Sequence, residues 1–381
     1  MTAPNPNTPQ NQPPSVCPNS DSQRQPPPNG KTRPTDSGFP VRPRMRASMA
    51  ERGYTNDKMV KHRTSRRAFF HDYCEPGYYM ITATTVPGSP PLSVIPDIPI
   101  ENLRKGELII PNHTPLGILV KNEITDIQKH HPEIRVIRFV VMPDHIHIVI
   151  NVQSRLKRML GRELAGFFGA CSKHHSQILK DSGIKTLFQP FHDRIIYNLQ
   201  QLDRAIRYVE DNPRRLILKR KYPDLFRRYL HLSLAEHEYA AYGNIFLLHE
   251  IYLLPVRIHR RWSEAEFRKY HEDSIREIEK GAIAISPAIH PAEREIMNAA
   301  IEMGSSVIQL TDQGFEDRFK PKGRKFELCA EGRLLLLAPW PENAGRKSTA
   351  GYTEFHKMNE LALAISRLPA AARLALKRPA R

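Results

Sequence analysis

Two runs rich in β-branched and apolar residues, 135–141 and His145–Val152, are separated by only Met142-Pro143-Asp144. A link that short, carrying proline and aspartate, suits a tight turn, so the two runs are expected to pair as an antiparallel hairpin. Whatever the rest of the chain does must be built around this pair. A further strand is expected at Tyr78-Tyr-Met-Ile-Thr-Ala-Thr-Thr. Residues 115–131 then place Leu116, Leu119, Val120, Ile124 and Ile127 at helical spacing, with Pro115 suited to a first turn. After the hairpin, residues 156–179 repeat apolar positions at helical spacing through Leu160, Leu164, Phe167, Phe168 and Cys171. Residues 191–197 suggest another strand. Residues 202–212 suggest a helix stopped by Pro213, which removes a backbone donor and restrains the residue before it. The order strand, helix, strand, strand, helix, strand, helix predicts an α+β fold: a ferredoxin-like split βαβ arrangement, an antiparallel sheet with helices on one face.

The chain has 381 residues, enough for two medium domains, and is 40% hydrophobic. Lys and Arg number 57 against 40 Asp and Glu, giving a formal charge of +17, and the pI is about 9.8. That excess points to a polyanionic partner. No uninterrupted apolar run of roughly 18 residues exists, as a membrane-spanning helix would need: the best stretch, 245–258, is broken by His249, Glu250, Pro255 and Arg257. The N-terminus is polar and proline-rich, without a signal-peptide pattern. Cys17, Cys74, Cys171 and Cys329 are widely spaced, with no Cys-x-x-Cys pair, so a reduced, cytoplasmic setting is expected. Residues 1–72 are expected to form a disordered Pro-rich arm that turns basic towards Arg63, Arg66 and Arg67.

Side chains alternate along a strand, so His145 and His147 project from one side while Ile146, Ile148 and Ile150 point into the core. Two imidazoles so placed can share one cation. A pair of histidines in a strand is as easily structural. The histidine-triad nucleotide hydrolases need a third histidine two residues on, and Val149 stands there. In Tyr208-Val209-Glu210-Asp211-Asn212-Pro213, a helix would put the phenol of Tyr208 and the amide of Asn212 on one face. A helical tyrosine is more often core packing.

Taken in order, Met142-Pro143-Asp144-His145-Ile146-His147-Ile148-Val149-Ile150, a long helix, Phe191-His192-Asp193-Arg194-Ile195-Ile196 and Tyr208-Val209-x-x-Asn212-Pro213 resemble the REP-associated tyrosine transposases. These are single-tyrosine HUH enzymes related to small insertion-sequence transposases. The resemblance spans residues 78–221. It departs after Pro213, where Arg214-Arg215-Leu216-Ile217-Leu218 replaces the family's small residues, glycine and hydrophobic pair.

The resemblance implies that His145, His147 and Asn212 bind Mg²⁺ or Mn²⁺, and that Tyr208 becomes linked to a 5′ phosphate, releasing a 3′ hydroxyl. Three neutral ligands would leave the metal its full charge for the scissile phosphate. The phenol, with a reference pKa near 10, must give its proton to water or a nearby base during attack. A phosphotyrosine conserves the energy of the broken linkage, so strand transfer can follow nicking. Single-stranded or hairpin DNA is the implied partner, met by a monomer or homodimer. Arg155, Lys157, Arg158, Arg162, Arg194, Arg214, Arg215, Lys219, Arg220 and Lys221 are candidates for backbone phosphate contacts.

Further along, residues 281–286, 306–311 and 333–338 read as strands and 291–303 as a helix with Gly304 beyond its end, a βαβ pattern. Ser286, Thr311 and the helix start near Pro291 can be an anion site at strand ends, or ordinary capping. No nucleotide-binding glycine motif occurs. The expected layout is therefore an arm over 1–72, an HUH transposase domain over 73–232, an accessory Rossmann-like α/β domain over 237–368 and a basic tail over 369–381. The alternative to a nicking enzyme is a catalytically idle DNA- or RNA-binding regulator that keeps the fold. The Arg/Lys-Gly-aromatic signature of RNA-recognition sheets is missing from the expected strands.

Overall fold

The computed structural model describes residues 71–178, 185–259, 261–345 and 351–373, all within one compact unit. The expected arm lies outside them except for its last two residues, as does the tail from 374 onward. In chain order the first half is β1 (Gly77–Thr84), β2 (Ser93–Val94), β3 (Asn112–His113), α1 (Pro115–His130), β4 (Ile134–Val141), β5 (His145–Val152), α2 (Leu160–Glu163), α3 (Ala165–Ile178), β6 (His192–Ile196) and α4 (Leu199–Lys221). β4 and β5 form the hairpin that the short link requires, its turn closed by the Met142 amide donating to the His145 carbonyl at 2.8 Å. The sheet order is β4-β5-β1-β6, and every pair is antiparallel.

Both faces of this sheet are covered, which corrects the expectation of helices on one face. Ile81, Ile146, Ile148 and Ile150 pack with Leu116, Val120 and Ile124 of α1 and with Phe167 and Cys171 of α3. The alternate residues Met80, Val140 and Val149 are also apolar, and they need cover on the other side. Ala205, Val209 and Ile217 of α4 provide it.

Two helices differ from expectation. The helical stretch after the hairpin begins at Leu160, not 156, because the Leu156 and Leu160 amides donate to the Cys74 and Tyr73 carbonyls ahead of β1. α4 runs through Pro213 to Lys221 instead of stopping at Asn212. Asn198 caps its start, and beyond the proline Ile217, Leu218, Arg214 and Arg215 are buried, so tertiary contacts hold the helix together where proline removes one hydrogen bond.

The second half contains β7 (Arg228–Leu234), β8 (His237–Gly243), β9 (Leu253–Pro255), α5 (Glu264–Glu279), β10 (Ile283–Ser286), α6 (Pro291–Glu302), β11 (Val307–Leu310), α7 (Arg324–Ala330), β12 (Leu334–Ala338) and α8 (Tyr352–Arg367). Its sheet order is β7-β8-β12-β11-β10-β9. β9 to β12 are parallel, and β8 joins β12 antiparallel. β10 and β12 are buried throughout, as continuous apolar runs in a two-sided parallel sheet should be. α8 covers one face through Met358, Ala362 and Ile365. α6 covers the other through Ile296, Met297 and Ala300. Residues 228–234 supply the edge strand β7, and residues 324–330 form α7, two elements the sequence did not announce. Among the described residues no helix is long and apolar enough to cross a membrane.

α4 also touches α7 of the second half. The Arg214 guanidinium donates to both oxygens of Glu327 on α7 at 2.7 and 2.8 Å, and to Asp211 at 2.6 Å. Burial works against this charge, but the two carboxylates outweigh it and leave the pKa raised.

Candidate nucleic-acid cleavage site

The turn before β5 is fixed from outside the hairpin. The backbone amide and hydroxyl of Thr85 both donate to the Asp144 carbonyl, and the Leu92 amide donates to that of Pro143. Gly117 of α1 lies so close beneath the Leu92 carbonyl that a Cβ would sit 1.7 Å from its oxygen, so only glycine fits there.

On β5, the rings of His145 and His147 have centroids 4.8 Å apart. Each has its Nδ1 engaged: His145 with the Asp144 carboxylate at 2.6 Å, His147 with the Thr82 hydroxyl at 2.8 Å. Thr82 stands opposite His147 in the β1–β5 register. Nε2 is thus the free nitrogen of both rings. The hydrogen bond from His145 holds the exposed Asp144 carboxyl below its usual range. Burial, reinforced by His145 and Lys320, pushes His147 down to about 3, so its imidazole is neutral.

Tyr208 comes from α4, its ring 5.2 Å from that of His147, edge to face. The Arg215 guanidinium lies 5.6 Å from the Tyr208 ring on one side and 3.5 Å from the Phe326 ring on the other, and donates to the Pro321 carbonyl at 3.0 Å. Burial lowers its pKa. These groups open into a cleft of about 2650 Å³ between the two sheets.

Of the cationic candidates, Arg194, Arg215 and Lys219 line that cleft with both histidines and Tyr208. Arg214 is instead buried in its pairs with Asp211 and Glu327. Arg155 pairs with Asp72 and Glu75, and Arg158 with Glu163. Neither of these two lines the cleft, nor do Lys157, Arg162, Arg220 and Lys221. Asn212 is buried, and its Nδ2 donates to the Tyr208 carbonyl at 2.6 Å, within its own helix.

The donor set suits a divalent ion in part. Two imidazoles with their Nδ1 atoms anchored by a carboxylate and a hydroxyl match the way proteins orient histidine ligands. Asn212 does not line the cleft, and among the described residues no three His, Cys, Asp or Glu stand together as a metal cluster.

No protein-family model and no curated protein matches this chain. Among solved structures, it is similar over part of its length to a REP-associated tyrosine transposase bound to a REP hairpin. The TM-score is 0.27 and the identity 16%, covering 39% of this chain and 72% of the other. A likeness that low establishes neither fold nor activity.

Sequence reasoning missed Thr82, Asp144 as an orienting group, and Lys320. The Asp144 role had a signal, a carboxylate adjoining the first histidine. Thr82 becomes visible only once β1 is aligned with β5. Lys320 lies in the basic stretch Arg318, Lys320, Lys322, Arg324, Lys325, which lines the same cleft although more than a hundred residues separate it from Tyr208.

The anion site considered at Ser286, Thr311 and Pro291 is filled by the protein's own groups. Ser286 accepts from the Ala288 amide, and the Glu293 carboxylate takes the amides of Ile258, Ile289 and His290. Capping accounts for Ser286 and the helix start at Pro291, while Thr311 lines the cleft.

Proposed function

We propose that this protein cleaves and rejoins single-stranded or hairpin DNA through a covalent link to Tyr208, as an HUH transposase-type domain over 73–232 with a Rossmann-like domain over 237–368. The observation that carries the reading is the edge-to-face contact of Tyr208 with His147 of the histidine pair, in a cleft whose walls carry Arg194, Arg215 and Lys219. In the reaction, the Tyr208 oxygen bonds to phosphorus as the bond from phosphorus to the 3′ oxygen breaks. The phenolic proton ends on the released 3′ hydroxyl, and reversal onto another 3′ hydroxyl gives strand transfer.

His145 and His147, through Nε2, would hold Mg²⁺ or Mn²⁺, which when bound neutralises charge on the non-bridging phosphate oxygens. Asp144 and Thr82 keep the rings in place. Arg215 puts a fixed positive charge beside the phenol, favouring the phenolate as it forms. Tyr208 faces the histidines of its own chain, which favours attack within one subunit.

The test is incubation of the full chain with labelled single-stranded hairpin DNA and Mg²⁺ or Mn²⁺, read on a denaturing gel. A protein-linked strand is expected, absent in Tyr208→Phe, in His145→Ala and with chelator. The inward turn of the Asn212 amide favours a second reading, a binding protein with an idle site. Equal DNA binding by all three proteins with no cleavage would establish it.

A further inference from the structure

Half-buried ammonium groups are costly unless an anion meets them. Lys219 on α4 lies 5.8 Å from the Phe326 ring and 5.9 Å from that of Phe226, and no carboxylate partners it among the described residues. Burial, with Lys320 and Arg215 adding to it, brings its pKa down to about 8. Lys320 has no carboxylate partner among the described residues either. It is exposed and lines the same cleft as Lys219, His147 and Asp144. Its neighbour Pro321 is buried and accepts the hydrogen bond from Arg215, which ties this stretch of the second half to the helix bearing Tyr208. Positive groups from two separate elements thus line the cleft that holds the histidine pair.

We propose that Lys320, supplied by the second sheet's side of the cleft, acts with Lys219 to clamp one backbone phosphate of the nucleic acid whose scissile bond meets Tyr208. The second half is then part of the cleavage site, not a module with a ligand of its own. This rests on the nicking reading for the identity of the strand in the cleft. A single phosphate between two ammonium groups relieves their repulsion and fixes the register of the strand, as backbone contacts do in other nucleic-acid complexes.

The experiment uses the full chain and a fluorescent hairpin oligonucleotide with a single-stranded flank. Binding is measured by anisotropy across a salt series, and adduct formation on denaturing gels. The proteins are wild type, Lys320→Ala, Lys320→Arg, Tyr208→Phe and, as a control outside the cleft lining, Arg268→Ala. Thermal unfolding shows that each is folded. Lys320→Ala should weaken binding about tenfold and reduce the slope of log affinity against log salt by about 0.7, the loss of one contact to a single strand. It should also slow adduct formation, while Lys320→Arg and Arg268→Ala keep the wild-type slope. If Lys320→Ala binds with the wild-type affinity and slope, the inference is overturned, even where wild type still forms the Tyr208 adduct. If the slope depends on Lys320 but no adduct forms in any protein, the clamp stands and the nicking reading falls. Wild-type protein that binds no oligonucleotide at all sinks both.

Discussion

At the level of single residues, the site divides into groups that would touch a phosphate and groups that hold them. Thr82 and Asp144 belong to the second kind. Thr82→Val removes the partner of His147 Nδ1 with little change of shape, and such orienting partners are worth about 10–100-fold in metal affinity or activity. The expected outcome is a Mn²⁺ titration of adduct formation displaced to higher concentration by that factor, with unchanged binding to DNA in chelator.

Lys219 makes a prediction in pH. Its folded value, about 8, lies below the ordinary 10.5, so between those values the unfolded chain holds the proton and the folded one releases it. Stability therefore rises with pH across that window, and below pH 8 the cost of the buried charge is fully present. DNA affinity runs the other way, weakening a few-fold as pH passes 8 and the clamp loses charge. Lys219→Arg should abolish both trends, in denaturant unfolding and in anisotropy. The histidine pair was legible because alternation in a strand is a strict geometric rule. Lys320 was not, since nothing local in residues 318–325 says which cleft they line.

At the level of elements, α4 is where sequence and structure part most. Pro213 is a sound local stop signal, yet the helix continues to Lys221. The cause is not local: Arg214 is held by Glu327 and Arg215 by Pro321, both more than a hundred residues away. The same distance explains why Arg214 and Arg215 look like DNA contacts in the sequence, while one is spent on a buried ion pair. Glu327→Ala should destabilise the protein by about 2–3 kcal/mol, at the lower end for a broken buried pair because Asp211 still faces the guanidinium. Denaturant unfolding measures this, and the double variant Arg214→Met with Glu327→Leu should recover most of it. The hairpin β4–β5, by contrast, was readable to within a residue, because a three-residue link leaves no other pairing.

At the level of the whole molecule, the antiparallel and the mostly parallel sheets share one cleft. Three of the parallel strands, β10 to β12, were legible as apolar runs, whereas the short β9 was not. The way the halves meet was not, because it depends on long-range contacts of α4. A chain ending after Lys221 would leave Arg214 without Glu327 and Arg215 without the Pro321 carbonyl. Such a fragment should form no adduct with hairpin DNA even where circular dichroism shows it folded. Adduct formation at the full-length rate would show that the second half is dispensable.

The lock between Arg214 and Glu327 also bears on the order of events during synthesis. The ribosome makes the helix carrying Tyr208 first, and 113 residues separate Arg214 from its partner. At about 5–20 residues per second that is a delay of roughly 6–23 s. Throughout it the nascent chain carries Tyr208 and the histidine pair but an unfinished cleft, so any DNA cutting at this site would wait with its blade still sheathed.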